Sequence, residues 1–154
     1  MIIETLTKEK TVENMDQLLH VCRHSNLDWT EENLMMELDC KWALSFAAIM
    51  DDRVVGFSIA SRREPGWAQW HEGRILKDYR GQGVVGLFIE KMVESCRELE
   101  ITRITFETDV EKGPIFYKYG FHEMNPSKLD DYLPKKIGPI RDLNTIMILE
   151  MFLE

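Results

Sequence analysis

Cysteine is scarce in this chain of 154 residues: Cys22, Cys40 and Cys96 are all it has. They are odd in number, widely spaced and contain no C-x-x-C pair, which excludes a disulfide framework or a zinc site and makes a reducing cytoplasm the expected compartment. Long apolar runs are missing as well. No stretch approaches the ~20 residues needed to cross a bilayer, and the opening MIIETLTKEK lacks the basic-then-apolar order of a signal peptide. Positive charge is in deficit, 19 basic against 27 acidic side chains for a net charge of −8, which argues against nucleic acid or an anionic membrane as partner. A cationic substrate fits that balance, although acidity more often serves solubility. Repeats, low-complexity tracts and linkers rich in Pro, Gly or Ser are absent, so residues 1–154 read as a single domain. His20, Cys22 and His24 make no metal cluster, because on a helix Cys22 points away from the two histidines at i and i+4. No metal is expected.

What is present is a clear alternation of periods. Residues 2–6 suit a short strand. From about Thr11, a cap candidate, Val12, Met15, Leu18, Leu19 and Cys22 recur at helical spacing. A second helix is expected after Thr30, burying Leu34, Met35 and Leu38. WALSFAAIM (42–50) and VVGFSIAS (54–61) form a β-hairpin, and WAQWHEGRIL (67–76) a third strand. A helix follows to about Glu100, then a strand over ITRITFET (101–108) and a short helix over GPIFYKYG that Gly120 ends. Short strands near Phe121–Met124 and over 145–153 close the chain, giving one mixed sheet with helices on both faces.

The junction DYRGQGVVGLFIEKM (78–92) concentrates Gly81, Gly83 and Gly86 between a strand and a helix. Unpaired N–H groups at a helix start, with the helix dipole behind them, favour an anion, and glycine lets a phosphate approach the backbone. Arg80 adds a cation. A P-loop is excluded, since no Lys-Ser or Lys-Thr pair follows Gly86. G81-Q-G-V-V-G86 satisfies the dinucleotide fingerprint literally, but it follows three antiparallel-looking strands. The acidic residue near the required distance, Glu107, has no second βαβ half behind it.

YRGQGVVGLFIEKM resembles the acetyl-CoA pyrophosphate loop of the GCN5-related N-acetyltransferase (GNAT) superfamily, Q/R-x-x-G-x-G/A, and PIFYKYGF (114–121) resembles that family's second signature. The resemblance covers essentially the full chain, most specifically residues 67–122. It implies an α+β (mixed α/β) acyl-CoA N-acyltransferase fold: a single, mainly antiparallel mixed sheet of about seven strands flanked by about four helices. Acetyl-CoA is the implied cosubstrate, held at Arg80, Gly81, Gln82, Gly83, Val84, Val85 and Gly86, with its pantetheine arm paired along Arg74, Ile75 and Leu76. Val85 departs from the pattern, and its Cβ stands where the family has Gly or Ala. Val110 likewise replaces a frequent asparagine.

Acetyl transfer to an amine needs a neutral nucleophile, a polarised carbonyl and a proton for the leaving thiolate. By the resemblance Tyr117 is the acid, a phenol protonated at neutral pH. His71 is the base, with Glu72 its competitor. Strict alternation puts Gln69, His71 and Gly73 on one face and Trp70, Glu72 and Arg74 on the other, so only one of the two would reach the acetyl group. Trp29, Glu32 and Glu72 are the candidate contacts to a cationic acceptor, and the polar segment 125–142 is expected to loop over the same region. The acceptor is a small-molecule or protein amine, and a homodimer is an admissible assembly. Two other readings stay open: a catalytically silent acyl-CoA-binding protein of the same fold, and a dinucleotide-binding oxidoreductase fragment.

Overall fold

The structure, a computed structural model, describes residues 1–133, 142 and 144–154. Strand β1 (Ile2–Thr5) leads into α1 (Lys8–Glu13) and α2 (Met15–His24). The expected single helix from Thr11 is therefore two. Thr7 is the first cap, its hydroxyl accepting the Lys10 N–H at 3.1 Å, while Thr11 is buried and donates to Thr7 O at 2.8 Å. The break at Asn14 re-phases the apolar stripe: Leu18 and Cys22 are fully buried, whereas Val12 is left 59% exposed.

Helix α3 (Glu31–Met35) starts after Thr30 as expected, with a capping box in which the Thr30 N–H donates to Asn33 Oδ1 at 2.8 Å. Leu34 is its one fully buried apolar residue; Met35 and Leu38 are only partly covered. A helical turn, α4 (Lys41–Leu44), occupies the start of what the sequence suggests is strand 42–50, and strand β2 begins at Phe46 (Phe46–Met50). Lys41 explains the difference. Its buried ammonium donates to Leu34 O at 2.8 Å and Met36 O at 2.7 Å, carbonyls orphaned where α3 ends. Burial pulls its pKa down to about 8.

Strands β3 (Arg53–Glu64) and β4 (Trp67–Ile75) complete an antiparallel run. Helix α5 (Val84–Glu98) returns the chain to β5 (Arg103–Asp109), burying Phe88, Ile89, Met92 and Cys96. A 3₁₀-helix (Gly113–Tyr119) ends at Gly120, whose φ of 101° is left-handed, before β6 (His122–Glu123), α6 (Leu129–Tyr132) and β7 (Ile146–Phe152). Beyond the four expected helices, the first of which is split into α1 and α2, the chain adds the short turns α4 and α6. The part of segment 125–142 beyond Leu133 lies, apart from Asp142, outside the described residues. Among the described residues, no helix is long and apolar enough to cross a membrane.

Among the described residues seven strands run in the order β1-β2-β3-β4-β5-β7-β6, and only β4 and β5 are parallel. This matches the expected α+β architecture with a mainly antiparallel sheet. The parallel seam is short: Trp67↔Arg103, Ala68↔Ile104 and Gln69↔Thr105 pair, and then the strands part, although β4 stays on β3 as far as Ile75. Two features hold the fork open. A β-bulge at His71 sets Ile59 against Glu72 and Ala60 against Trp70. The Trp70 indole then turns along its own strand, donating to Glu72 O at 3.1 Å and packing at a tilt of 52° against Phe106 with centroids 4.9 Å apart. It lies so close over Gly73 that a Cβ there would meet Trp70 Cζ2 at 2.9 Å. Replacing Gly73 by Ala should accordingly cost about 1–3 kcal/mol through overpacking, read as a lower urea midpoint. A change below about 0.5 kcal/mol, the size of an ordinary surface substitution, would mean that the indole is not lodged there.

Candidate active site

At one mouth of the fork the chain makes a 3₁₀ turn (Lys77–Tyr79) and a loop into α5. Gly81 (φ 77°) and Gly83 (φ 81°) are left-handed, and a Cβ on either would meet nothing within 4 Å, so backbone conformation rather than space requires glycine there. The N–H groups of Val84, Val85 and Gly86 precede the first helical bond, Leu87 N to Gly83 O at 3.2 Å, and so lie at the positive end of a four-turn helix. Gly86 serves packing: a Cβ there would sit 3.1 Å from the Tyr119 ring. Arg80 ties the loop to β4 by donating Nε–H to Ile75 O at 3.2 Å, and Gln82 bonds back to Asp78 O at 3.4 Å.

A cavity of about 560 Å³ fills the fork. Val85, Phe88 and Phe116 line it on the α5 face of the sheet, and Gln69, His71 and Glu107 on the other, so it passes through the sheet. Of the strand residues expected to meet a pantetheine arm, Leu76 gives its N–H to Val55 O at 2.8 Å. Alternation along the pair then turns the Arg74 amide toward β3 and that of Ile75 toward the gap. Val85 is half-buried, packed on the core and part of the cavity wall.

The bulge overturns the face assignment. Trp70 covers Gly73 instead of sharing a face with Glu72 and Arg74 alone, and both His71 and Glu72 line the cavity. A bulge sets two residues against one, which removes the either-or between them. Glu72 is paired with Arg74 at 3.0 Å, and Arg74 also donates to Ser25 O at 2.8 Å. His71 Nε2 shares a hydrogen bond of 2.7 Å with the buried hydroxyl of Ser61. Burial first, then the charges of Lys41 and Arg63, pull its pKa down to about 4, so its imidazole is neutral at physiological pH.

Tyr117 does not line the cavity and is 45% exposed; Phe116 is the residue of that helix in the wall. Its ring packs edge-on against Phe106 at 4.8 Å, which spends the inward direction on an apolar contact. Trp29 lines the cavity and packs toward Phe57. Glu32 stands exposed in the first turn of α3, outside the cavity, where the helix dipole accounts for it. Among the described residues no group of three His, Cys, Asp or Glu side chains is placed to hold a metal ion.

A family model for the GNAT acetyltransferases matches residues 12–121. The chain belongs to the GNAT acetyltransferase family. Members draw the acetyl group from acetyl-CoA, so the family is one of acyltransferases. No curated protein sequence matches the chain. Solved structures share the fold at low identity. An acetyltransferase of Streptococcus agalactiae aligns with TM-score 0.74 and 18% identity over 99% of this chain and 98% of its own. A ribosomal-protein-alanine N-acetyltransferase of Escherichia coli gives 0.74 and 12% over 99% and 93%. A GNAT family acetyltransferase of Elizabethkingia anophelis, with acetyl-CoA bound, gives 0.55 and 14% over 71% and 75%.

Sequence reasoning missed Ser61, Lys41 and Phe116 as parts of this site, and used Glu107 only to reject a dinucleotide fold. The alternation in ITRITFET already put Thr105 and Glu107 on one face; what could not be read was that β4 opens beside them. His71 carries a direct test. Its folded pKa is depressed below the ordinary 6.5, so the stability it contributes is present above that value and is lost as pH falls toward 4. NMR titration should place its midpoint near 4, and His71→Gln should flatten the loss of stability between those pH values. A midpoint near 6.5 would contradict the enclosed site.

Proposed function

We propose that this chain is a single-domain, cytoplasmic, acetyl-CoA-dependent N-acetyltransferase that transfers an acetyl group to a primary amine of a cationic small-molecule or protein acceptor. The observation that carries the reading is the through-sheet cavity in the β4–β5 fork, with the left-handed glycine loop at one mouth. When bound, acetyl-CoA supplies an activated thioester. The amides of Gln82 to Gly86 and the Arg80 guanidinium would hold its pyrophosphate. The Ile75 amide would pair with the pantetheine arm, as an added strand would, and orient the thioester carbonyl. Trp29 and Glu72 flank the acceptor. A new N–C bond replaces the C–S bond, and the amine's surplus proton leaves by way of the neutral His71 imidazole or solvent, with thiol as product. Tyr117 lies outside the cavity lining, so its acid role rests on the resemblance, and the proton released by the amine could serve the departing sulfur instead.

The silent acyl-CoA binder draws support from Val85 in the cavity wall and from Tyr117 outside it. CoA release over a panel of amines separates the two readings, after a thermal shift with acetyl-CoA but not NAD has shown binding. Turnover of at least one amine is expected, and binding without turnover of any amine would favour the silent protein. Gly83→Val, forced to a left-handed φ beside the anion site, should weaken acetyl-CoA at least about tenfold. Tyr117→Phe should keep kcat within about twofold; a loss of a hundredfold, the scale of general-acid catalysis, would restore the acid assignment.

A further inference from the structure

In the sequence, segment 25–39 is a run of carboxylates around one tryptophan, the pattern that suits a cationic acceptor. The structure sorts those side chains. Leu27, Asp28, Trp29, Asn33, Met36 and Leu38 line the cavity, whereas Glu31, Glu32, Glu37 and Asp39 do not. Glu31 and Glu32 stand exposed in the first turn of α3. Glu37 pairs with Lys8 at 2.7 Å and accepts the Trp42 indole N–H at 2.9 Å, while Asp39 pairs with Arg62 at 2.7 Å. The segment therefore gives the cavity mostly apolar surface. Met36, a large apolar side chain, is left 43% exposed there.

Charge points the same way. Lys41 lines the cavity with its ammonium on two uncharged partners, Leu34 O and Met36 O, so its positive charge stays in the wall. The carboxylates that do line the cavity are engaged elsewhere or wet. Glu72 belongs to Arg74 at 3.0 Å and Asp109 to Lys112 at 3.7 Å; Glu107 takes the Tyr132 hydroxyl at 3.1 Å, and Asp28 is exposed. A second cation on the acceptor would lose its hydration and come to rest near a like charge. An apolar body instead gains buried area, and a flat one can lie on the Trp29 ring or the Met36 sulfur.

Resting on the acetyltransferase reading above, we infer that Trp29, Met36 and Leu38 are the specificity wall for the acceptor, and that the acceptor is a monoamine on an apolar body, either a free alkylamine or aralkylamine or the first residue of a peptide, rather than a polyamine. Such an amine arrives with one positive charge, the one it must lose before it attacks.

Hexylamine and cadaverine test this, being matched in length and differing by a terminal methyl against a second ammonium. Hexylamine should exceed cadaverine in kcat/KM at least about tenfold, the scale of a polar group buried without a partner. A leucine-initiated tripeptide against a lysine-initiated one repeats the comparison for a peptide acceptor, and the pair turned over faster identifies the source. Met36→Glu, at an exposed position whose main-chain oxygen still serves Lys41, should narrow the ratio at least about tenfold with acetyl-CoA affinity unchanged. Equal loss for both members of a pair would reduce Met36 to packing and overturn its assignment. A wild type that prefers the second cation would overturn the apolar acceptor. If acetyl-CoA binds but nothing turns over, calorimetric titration of hexylamine and cadaverine into the coenzyme A complex makes the same comparison, and binding of neither overturns the wall. A wild type that binds no acetyl-CoA would sink the acetyltransferase reading instead, and the two titrations without coenzyme A would still judge the wall.

Discussion

The interaction on which the rest depends is the lodging of the Trp70 indole along its own strand. By donating to Glu72 O and covering Gly73, it fills the position where β5 would otherwise lie against β4. Leaving strand edges unpaired in a protein interior is costly, and a ring that spans two residues offsets part of that cost with aromatic contacts to Phe106, Phe116 and Phe121. The open edge that remains is a template for one more strand, which is how an extended acyl carrier would be held. The bulge at His71 completes the arrangement by bringing a histidine and a glutamate into one cavity.

Around that opening the chain spends buried polar groups with unusual freedom, and three clusters of them are matched. The Lys41 ammonium closes the end of α3, the Glu150 carboxylate gathers Arg103, Lys128 and His122, and Gln69 links Thr105 to Tyr132. Satisfied networks of this kind fix side-chain directions more firmly than apolar packing does. Of these groups Lys41 and Gln69 line the cavity itself. The α5 side is built from Val85, Phe88, Phe106 and Phe116 and takes its polarity from the backbone.

Much of this was legible in the sequence because it rests on short-range rules. The strand-to-helix glycines, the hairpin around Asp51 and Asp52 and the Gly120 stop are local signals, and each lies where its period or turn chemistry puts it. Two kinds of feature were hidden. The split at Asn14 and the turn Lys41–Leu44 rest on side-chain bonds to backbone carbonyls, Asn14 Nδ2 to Lys10 O and Lys41 Nζ to Leu34 O and Met36 O, which residue propensity does not register. The bulge shifts pleat alternation by one residue without any mark in WAQWHEGRIL. Every face assigned beyond Trp70 inherits that shift, which is why Glu72 joins His71. Tyr117 stands outside the cavity for a similar reason, since a 3₁₀ turn has a different period from an α-helix and brings its neighbour Phe116 inward.

The three-pair seam between Trp67–Gln69 and Arg103–Thr105 joins two sub-sheets that are each antiparallel and internally continuous. It works as a clasp between two leaves. One leaf, with α5, carries the glycine loop and the open β4 edge; the other carries β5, whose Phe106 and Glu107 line the same cavity. Besides the clasp, Trp67 to Thr105, Gln69 to Tyr132 and the Trp70–Phe106 ring contact tie the leaves together. Such stitching sets the width of the opening from both sides, so the cavity keeps its shape without a continuous sheet beneath it.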